Sequence, residues 1–215
     1  MIPIRHIVAA ALSLAALAGF SPRHLVSEAI AQDSTAALAQ PLALSDMVLG
    51  PADAPVSIIE YASLTCPHCA AFEENVFPML RSTYIDTGKV RFVFRPFPLD
   101  IKAAAATVLA RCIAGDDAEK FFGAVDVLFK QQNQVIAATT QALKEIGKQS
   151  GMSVQAVEAC IGDQALLDKL SADQNFALET LKVGSTPTFF IDGEKILGAM
   201  SFEELDGKIK SLLKR

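Results

Sequence analysis

The stretch VSIIEYASLTCPHCAAF, residues 56–72, decides how this chain folds. Its first part, Val56 to Ala62, carries little polarity, which predicts a strand buried at the centre of a sheet. Cys66-Pro67-His68-Cys69 follows, and the segment from Ala70 to Arg81 has the pattern of a helix. Two thiols separated by two residues can close into a small disulfide that exchanges readily. The motif therefore predicts redox chemistry at the start of a helix.

The position of Cys66 favours its thiolate form. At a helix N-terminus, unpaired backbone N–H groups and the positive end of the helix dipole stabilise an anion. The pKa of cysteines in such motifs falls from about 8.5 to roughly 3.5–7.5, and the thiolate is the nucleophile of disulfide exchange. His68 should act in the same direction when it is protonated. Because a stable thiolate favours the reduced form, a Cys66–Cys69 disulfide is expected to oxidise other proteins.

Zinc binding is the competing interpretation of the C-x-x-C motif. A zinc site would need a second pair of ligands at short spacing. The other two cysteines, Cys112 and Cys160, lie far apart, and the other histidines, His6 and His24, belong to the N-terminal leader. The sequence therefore favours redox chemistry over a metal site, and we expect no metal and no other cofactor.

The N-terminus predicts export. The apolar stretch from Ile7 to Phe20 is about 14 residues long, shorter than the about 20 residues of a membrane span, and is typical of a secretory signal. We predict a signal peptide over residues 1–31, with small-x-small cleavage sites after Ala18 and after Ala31. An uncleaved membrane tether remains an open alternative. Export would place the four cysteines where disulfides persist.

Composition excludes a nucleic-acid partner. With residues 1–31 removed, 17 Lys and Arg remain against 23 Asp and Glu, a net charge near −6. Nothing strongly basic is left to bind phosphates. The remaining length, about 184 residues, fits one domain with room for an insertion.

The rest of the chain divides into strand and helix blocks. Residues 34–54 are expected to form an irregular lead-in, because Gly50-Pro51 and Ala54-Pro55 interrupt regular structure. The helix after the C-x-x-C motif should kink at Pro78. Its inward apolar side chains are expected to be Phe72, Val76, Met79 and Leu80. Val90 to Phe94 predicts a second strand.

Residues 100–182 are predicted to be helical almost throughout. The expected helices are Ile101 to Ile113, Ala118 to Gln131, Thr139 to Gln149, Val154 to Ile161 and Ala165 to Leu181. Breaks are expected at glycines, and Ser153 and Asp163 are placed as helix caps. A strand then returns, a hairpin turn follows at Asp192-Gly193, and a last helix ends the chain. The predicted elements after this insertion are Thr188 to Ile191, Lys195 to Gly198 and Phe202 to Leu213.

Over residues 45–213 the chain resembles the DsbA family of thiol:disulfide oxidoreductases. Two segments carry the resemblance: Tyr61-Ala62-Ser63-Leu64-Thr65-Cys66-Pro67-His68-Cys69 and Gly184-Ser185-Thr186-Pro187-Thr188-Phe189-Phe190. The resemblance implies an α/β, thioredoxin-like fold with a helical insertion domain. Residues 32–99 and 183–215 would form the thioredoxin-like domain, and residues 100–182 the insertion.

The resemblance also assigns site residues. Cys66 and Cys69 would be the redox pair, with Pro67 and His68 between them. The second segment of the family carries a cis-proline that faces the disulfide, and Pro187 matches it. The backbone of Thr186 would then pair with an extended substrate segment. One departure bears on function: dedicated oxidases of the family have valine before this proline, whereas isomerases and reductases of related fold have threonine.

Glu60 occupies the place of a partly buried acidic residue of the family. Such a carboxylate could take up and return the proton of Cys69. The alternatives are a solvent-facing strand residue and a structural ion pair with Arg91 or Arg95. The companion lysine of the family is not evident, because Phe94 stands at its expected place.

Cys112 and Cys160 both fall in the predicted insertion. An exported chain with an even number of cysteines tends to pair them, so we expect a structural disulfide between these two. Two buried free thiols are the alternative.

The function implied by the resemblance is the insertion of disulfides into reduced, unfolded exported proteins in the periplasm. A DsbB-like membrane partner would reoxidise the protein, which is expected to be a monomer. A disulfide isomerase or reductase, kept reduced by a membrane electron donor, is the first alternative. The second is a chaperone-like binding module whose disulfide is only structural.

Overall fold

Five strands form one mixed sheet in the computed structural model, which describes residues 35–214. Their order is β1-β3-β2-β4-β5; β2 and β3 are parallel, and the other neighbouring pairs are antiparallel. The strands are β1 (Met47–Leu49), β2 (Val56–Ala62), β3 (Val90–Pro96), β4 (Thr188–Ile191) and β5 (Glu194–Leu197). The buried strand predicted from residue 56 is thus confirmed at the centre of the sheet. The irregular lead-in expected for residues 34–54 is wrong in part, because it contains β1.

Alternate residues of β2 enter two different hydrophobic cores. Ile58 and Ala62 belong to the larger core, together with the helices that cover that face of the sheet. Ile59 and Tyr61 belong to a smaller core on the opposite face. Because side chains alternate along a strand, Glu60 lies on the same face as Ile58 and Ala62.

The redox motif opens helix α1 (Pro67–Asn75). Cys66 is the residue just before the helix, and Pro67 occupies a position where its missing N–H costs no hydrogen bond. The helical path is interrupted at Val76, whose φ is −117°. The kink predicted at Pro78 is confirmed, two residues earlier than the proline itself, because Pro78 has no N–H for the carbonyl of the preceding turn.

After this break the chain resumes as α2 (Phe77–Leu80) and a π-helical turn (Arg81–Ile85). The interruption changes which residues face the core. Phe77 is buried, whereas Met79 is 42% exposed, so the inward position predicted for Met79 is wrong. The prediction assumed one continuous helix, so it could not include the change in the inward-facing positions after Val76.

Six helices lie between β3 and β4 in the described chain. They are α3 (Ile101–Ala114), α4 (Ala118–Lys130), α5 (Gln132–Ala137), α6 (Thr139–Gln149), α7 (Val154–Ile161) and α8 (Gln164–Glu179), and α9 (Phe202–Leu212) follows the hairpin. Ser153 and Asp163 cap α7 and α8, as predicted, by accepting hydrogen bonds from Ala156 N and Leu166 N. Helix α5 is absent from the sequence-based prediction. Within residues 35–214, no helix combines the length and apolar character that a membrane span requires.

A disulfide joins Cys112 in α3 to Cys160 in α7, with a Cα–Cα distance of 6.3 Å. The pair is therefore bonded rather than present as two free thiols. The predicted signal peptide, both cleavage sites, His6 and His24 lie outside the described residues.

Replacing Cys112 and Cys160 together by alanine is expected to lower the free energy of unfolding. The bond closes a loop with a sequence separation of 48, for which the chain-entropy model gives about 4 kcal/mol. Thiol exchange at Cys66 should persist, because neither replaced residue belongs to the redox pair. Denaturant unfolding and an exchange assay measure the two effects. A double variant as stable as the parent protein would contradict the structural role of this bond.

Candidate active site

A short turn carries the chain from β2 to Cys66. The backbone N–H of Cys66 donates to Ser63 O at 3.0 Å, and Ser63 Oγ accepts from Leu99 N at 3.2 Å. Thr65 Oγ1 donates to Asp100 Oδ2 at 2.9 Å. The other carboxylate oxygen of Asp100 caps α3 through Ala103 N at 2.8 Å. The turn before the nucleophile is therefore fixed to the start of α3.

The two thiols of the motif are free and differ slightly in exposure. Cys66 is 5% exposed and Cys69 is 1% exposed, so both are buried, whereas Pro67 and His68 are exposed. Cys66 Sγ donates to the backbone oxygen of Thr186 at 3.3 Å. The Thr186–Pro187 peptide bond is cis. The two segments on which the family resemblance rested thus meet at the sulfur of Cys66.

The pKa of Cys66 is lowered to about 5, chiefly by its hydrogen bond with the Cys69 thiol. Burial opposes this lowering, and the Thr186 side chain and the backbone N–H groups of Cys69 and His68 add to it. The lowered pKa agrees with the thiolate predicted from the sequence, and backbone N–H groups at the helix start contribute to it as predicted, but its chief cause is the Cys69 thiol. His68 contributes through its backbone rather than through the charge of its ring.

The pKa of Cys69 shifts in the opposite direction. Its hydrogen bond to Cys66, its burial and the charge of Glu60, in that order, raise its pKa well above the ordinary value. At neutral pH the favoured state is therefore a thiolate at Cys66 and a thiol at Cys69. This difference fits a nucleophile and a resolving thiol.

Glu60 lies beneath α1 and is 1% exposed. Its neighbours in register are Phe94 on β3 and Phe189 on β4, and its Oε2 is buried with no hydrogen-bond partner. Burial raises the pKa of Glu60 well above the ordinary value, and the charges of Glu73 and Cys66 raise it further. Glu60 therefore keeps its proton to a higher pH than an exposed glutamate does.

Both structural alternatives for Glu60 are wrong. A side chain that is 1% exposed does not face solvent. Arg91 and Arg95 pair in register with Ser57 and Tyr61, so they alternate onto the opposite face of the sheet from Glu60. Arg95 instead forms an ion pair with Asp46 at 2.8 Å.

Gln132 supports the site from the helix that the sequence analysis missed. Its Nε2 donates to Leu64 O and to Cys66 O, each at 3.0 Å. One buried carboxamide thus holds the backbone on both sides of Thr65. A glutamine among helical residues carries no sequence signal for this role, because the contact spans more than 60 residues.

Replacing Gln132 by alanine is expected to destabilise the protein by about 1–3 kcal/mol, since the buried Leu64 carbonyl would lose its donor. The Cys66 carbonyl would lose one of two donors and keep Ala70 N. Asn133 is the matched control, because it is the next residue and is exposed. Denaturant unfolding of the Gln132→Ala and Asn133→Ala variants measures the difference. Equal stabilities would show that the turn does not depend on this carboxamide.

The structure describes no group of three or more His, Cys, Asp or Glu side chains within residues 35–214 that could hold a metal ion. His68 is the one histidine in this range.

Both a family model and curated relatives match most of this chain. The thioredoxin family model matches residues 43–211. A relative in Rickettsia bellii, named as a protein-disulfide oxidoreductase, is 36% identical over 151 residues, which cover 69% of this chain and 58% of that protein. The chain spans 54–58% of the length of this relative and of its Rickettsia felis counterpart.

Solved structures of other proteins also align with this chain. The crystal structure of alpha-DsbA1 from Wolbachia pipientis aligns with a TM-score of 0.74 and 34% identity, covering 83% of this chain and 95% of that one. BdbD from Bacillus subtilis aligns with a TM-score of 0.68 at 21% identity, which supports the fold alone. The thioredoxin-like fold with inserted helices, predicted from the sequence, is thus confirmed.

Proposed function

Because the chain belongs to the thioredoxin family and, within it, to the DsbA-like protein-disulfide oxidoreductases, we propose that it introduces disulfides into other exported proteins. The observation that carries this proposal is the difference in pKa between the two thiols of the C-x-x-C motif. The pKa of Cys66 is lowered to about 5, whereas that of Cys69 is raised. A stabilised thiolate favours the reduced protein, so the Cys66–Cys69 disulfide is an oxidant.

The reaction proceeds through a mixed disulfide. A substrate thiolate attacks Cys66 Sγ, the bond between Cys66 and Cys69 breaks, and Cys69 leaves as a thiolate. Glu60, whose pKa is raised by burial beneath the helix, donates the proton that Cys69 requires. A second substrate thiolate then attacks the substrate sulfur, and Cys66 leaves as a stable thiolate. Two electrons pass from the substrate dithiol to the protein, which becomes the dithiol seen in this structure.

Thr186 and Pro187 form the substrate-binding part of the proposal. The backbone oxygen of Thr186 lies 3.3 Å from Cys66 Sγ, so a substrate segment joined to that sulfur would run beside this backbone. Main-chain hydrogen bonds would bind many sequences, because they do not depend on side chains. Pro67 and His68, exposed beside Cys66, would line the same approach.

The setting of the reaction is part of the proposal. Residues 32–99 and 183–215 act as the thioredoxin-like domain and residues 100–182 as the helical insertion. The protein works as a monomer in the periplasm after removal of residues 1–31, on reduced and unfolded proteins. A DsbB-like membrane protein reoxidises it. The family supports these assignments.

A disulfide isomerase or reductase is the second candidate, favoured by one observation. Threonine at position 186 is the residue that isomerases and reductases of related fold carry before the proline. Such an enzyme would work with its Cys66–Cys69 pair reduced.

The redox equilibrium with glutathione tests the proposal. We expect the equilibrium to favour the reduced protein and oxidised glutathione, and we expect the oxidised protein to convert a reduced dithiol peptide into its disulfide. An equilibrium as reducing as that of a thioredoxin would support the reductase instead. Absence of any turnover would leave a binding module with a structural disulfide.

A further inference from the structure

An open cavity of about 270 Å³ lies beside α1, next to the segment where α4 ends and α5 begins. Its lining residues are Ala70, Glu73, Glu74, Asp126, Phe129, Lys130, Gln132 and Asn133. Glu74, Lys130 and Asn133 are exposed, whereas Glu73 and Gln132 are only 6% and 8% exposed. The cavity therefore has a mouth at the surface and an inner end at two buried polar side chains. Its volume is that of several water molecules, enough for the end of a side chain.

Gln132 presents its carboxamide oxygen to this cavity. Its Nε2 donates to Leu64 O and to Cys66 O, each at 3.0 Å, and these two acceptors fix which end of the carboxamide is the nitrogen. The oxygen is then the polar atom of Gln132 that remains for the cavity. Between residues 35 and 214 no donor reaches this oxygen.

Glu73 adds a second acceptor without a donor. Its side chain forms no hydrogen bond or ion pair in the part of the chain that the structure describes, residues 35–214. Lys130 does not supply one, because its ammonium pairs with Asp126 at 2.7 Å and its side chain is 67% exposed. Buried polar groups of a folded protein normally have hydrogen-bond partners. The inner end of the cavity is therefore complementary to a group that carries N–H donors and positive charge.

We propose that this cavity binds the guanidinium group of an arginine side chain presented by a polypeptide. A guanidinium has several N–H donors in a planar fork and no acceptor. One edge can donate to both oxygens of Glu73, while another N–H donates to Gln132 Oε1. A guanidinium is also less strongly hydrated than an ammonium, which lowers the cost of its partial burial. The exposed Glu74 adds negative charge at the mouth.

Binding is coupled to the release of a proton from Glu73. The charged groups that face Glu73 are Asp126 and Lys130 on α4, Arg81 after α2, Glu74 beside it and Glu60 on β2. Burial, followed by the charge of Asp126, raises the pKa of Glu73 to about 8, against the opposing effect of Lys130 and Arg81. The guanidinium binds the ionised carboxylate. The affinity therefore rises with pH up to about 8 and levels off above it.

Titration of the reduced protein with Nα-acetylarginine amide tests the site. Two-dimensional NMR of the amide groups should show saturable shifts at the Gln132 side chain and at the backbone of Glu73, with a dissociation constant on the order of 1 mM at pH 8. This constant should fall roughly tenfold from pH 6 to pH 7 and by less than about twofold from pH 8 to pH 9. Nα-acetylcitrulline amide, which has the same shape but no charge, should not bind.

Glu73→Gln keeps the shape of the side chain and removes its carboxylate. This variant should bind the arginine amide at least about tenfold more weakly at pH 8, because a charge-assisted pair of hydrogen bonds is lost. It should also lose the pH dependence. Glu74→Gln is the matched control, since it removes the same charge from the next residue, at the mouth. It should weaken binding by no more than about twofold and keep the pH dependence.

Lys130→Gln gives a second test that leaves both proposed ligands in place. Removal of this cation from the mouth should tighten binding about twofold at pH 9. The comparison is made at pH 9 because Lys130 lowers the pKa of Glu73, so its loss raises that pKa. If Glu73→Gln fails to fold, the Lys130→Gln variant still decides. An unchanged or weaker affinity of this variant would overturn the inference.

Dithiol peptides identify the source of the guanidinium. The peptides carry arginine at successive positions on either side of a cysteine, and each has a citrulline counterpart. If the substrate supplies the guanidinium, one arginine peptide should have a lower KM with the oxidised protein than its counterpart, and Glu73→Gln should abolish the difference. If a separate partner protein supplies it, all pairs should react alike while the arginine amide still binds. Either result supports the site.

Other outcomes would overturn the inference. These are equal binding of the arginine and citrulline amides, shifts that do not include Gln132 or Glu73, and equal affinities of the parent protein and the Glu73→Gln variant. The titrations use the reduced protein without turnover, so their failure would leave the proposed exchange reaction intact. Failure of the parent protein to oxidise any dithiol peptide would instead refute the proposed function and leave the binding site standing.

Discussion

Replacement of Cys69 by alanine is expected to abolish turnover and to leave the protein covalently attached to its substrates. The variant loses the Cys69 thiol, which lowers the pKa of Cys66 most, but it keeps the contributions of Thr186 and of the backbone N–H groups at the helix start. Cys66 therefore still attacks or accepts substrate sulfur through its thiolate form. Without Cys69 the mixed disulfide can no longer be released by attack of Cys69 on Cys66 Sγ, and only a substrate thiol can still resolve it. Complexes should therefore accumulate in cells and appear as higher bands on non-reducing gels, which a reductant removes.

The Cys66→Ala variant separates the roles of the two thiols. It should lose turnover equally but form few complexes, because Cys69 is 1% exposed, and because burial and the charge of Glu60 still raise its pKa after the contribution of Cys66 is lost. Both variants remove one sulfur from the same helix turn, so a general loss of structure would affect them alike. If Cys66→Ala trapped substrates as readily as Cys69→Ala, the assignment of nucleophile and resolving thiol would be reversed.

The relative stability of the two redox forms is expected to reverse with pH. In the reduced protein the folded pKa of Cys66, about 5, lies well below the ordinary thiol value. Folding therefore stabilises the thiolate by about 5 kcal/mol above pH 9 and by about 3 kcal/mol at pH 7. This contribution is lost as the pH falls through about 5. The oxidised protein has instead the constraint of a short disulfide loop, about 2 kcal/mol in the chain-entropy model.

The thiolate stabilises the reduced protein and the short disulfide loop stabilises the oxidised protein, and the balance between them decides which redox form is more stable at a given pH. Glu60 and Glu73 are buried beside the redox pair, and burial raises the pKa of each in both redox forms, so that part of their effect cancels in the comparison. The charge of Cys66 raises the pKa of Glu60 further in the reduced form only. The raised pKa of Cys69 removes about 1 kcal/mol from the reduced protein at pH 9, where the unfolded chain ionises this thiol and the folded protein does not. The reduced protein should be more stable by about 1 kcal/mol at pH 7 and about 2 kcal/mol at pH 9, whereas the oxidised protein should be more stable at pH 4. Denaturant unfolding of both forms across this range measures the reversal. An oxidised form that stays the more stable at pH 9 would argue for a reductase.

The features that the sequence predicted are those determined by neighbouring residues. The apolar run of β2, the helix that starts at the C-x-x-C motif and the caps Ser153 and Asp163 each depend on a few adjacent positions, and the structure contains all of them. The meeting of Thr186 with Cys66 was available only through family resemblance, because it joins positions far apart in the chain.

The features that escaped the sequence analysis depend on register and on distant contacts. The pairing of Glu60 with an arginine was an open alternative because strand parity is known only once β2 and β3 are aligned. The alignment places Phe94, not a cation, beside Glu60. Gln132 looks like an ordinary polar residue of a helix in the sequence. Its role follows from its burial against the turn before Cys66, which results from the packing of α5.

The double use of Asp100 limits how this protein can be shortened by engineering. One oxygen of its carboxylate caps α3, and the other accepts from Thr65, the residue before the nucleophile. Gln132, at the start of α5, donates a hydrogen bond to the carbonyl oxygen of Cys66. A minimal version made by joining β3 directly to β4 would keep every strand and both redox cysteines. It would also remove the two side chains that fix the turn before Cys66, so the inserted helices are part of the catalytic scaffold rather than a detachable module.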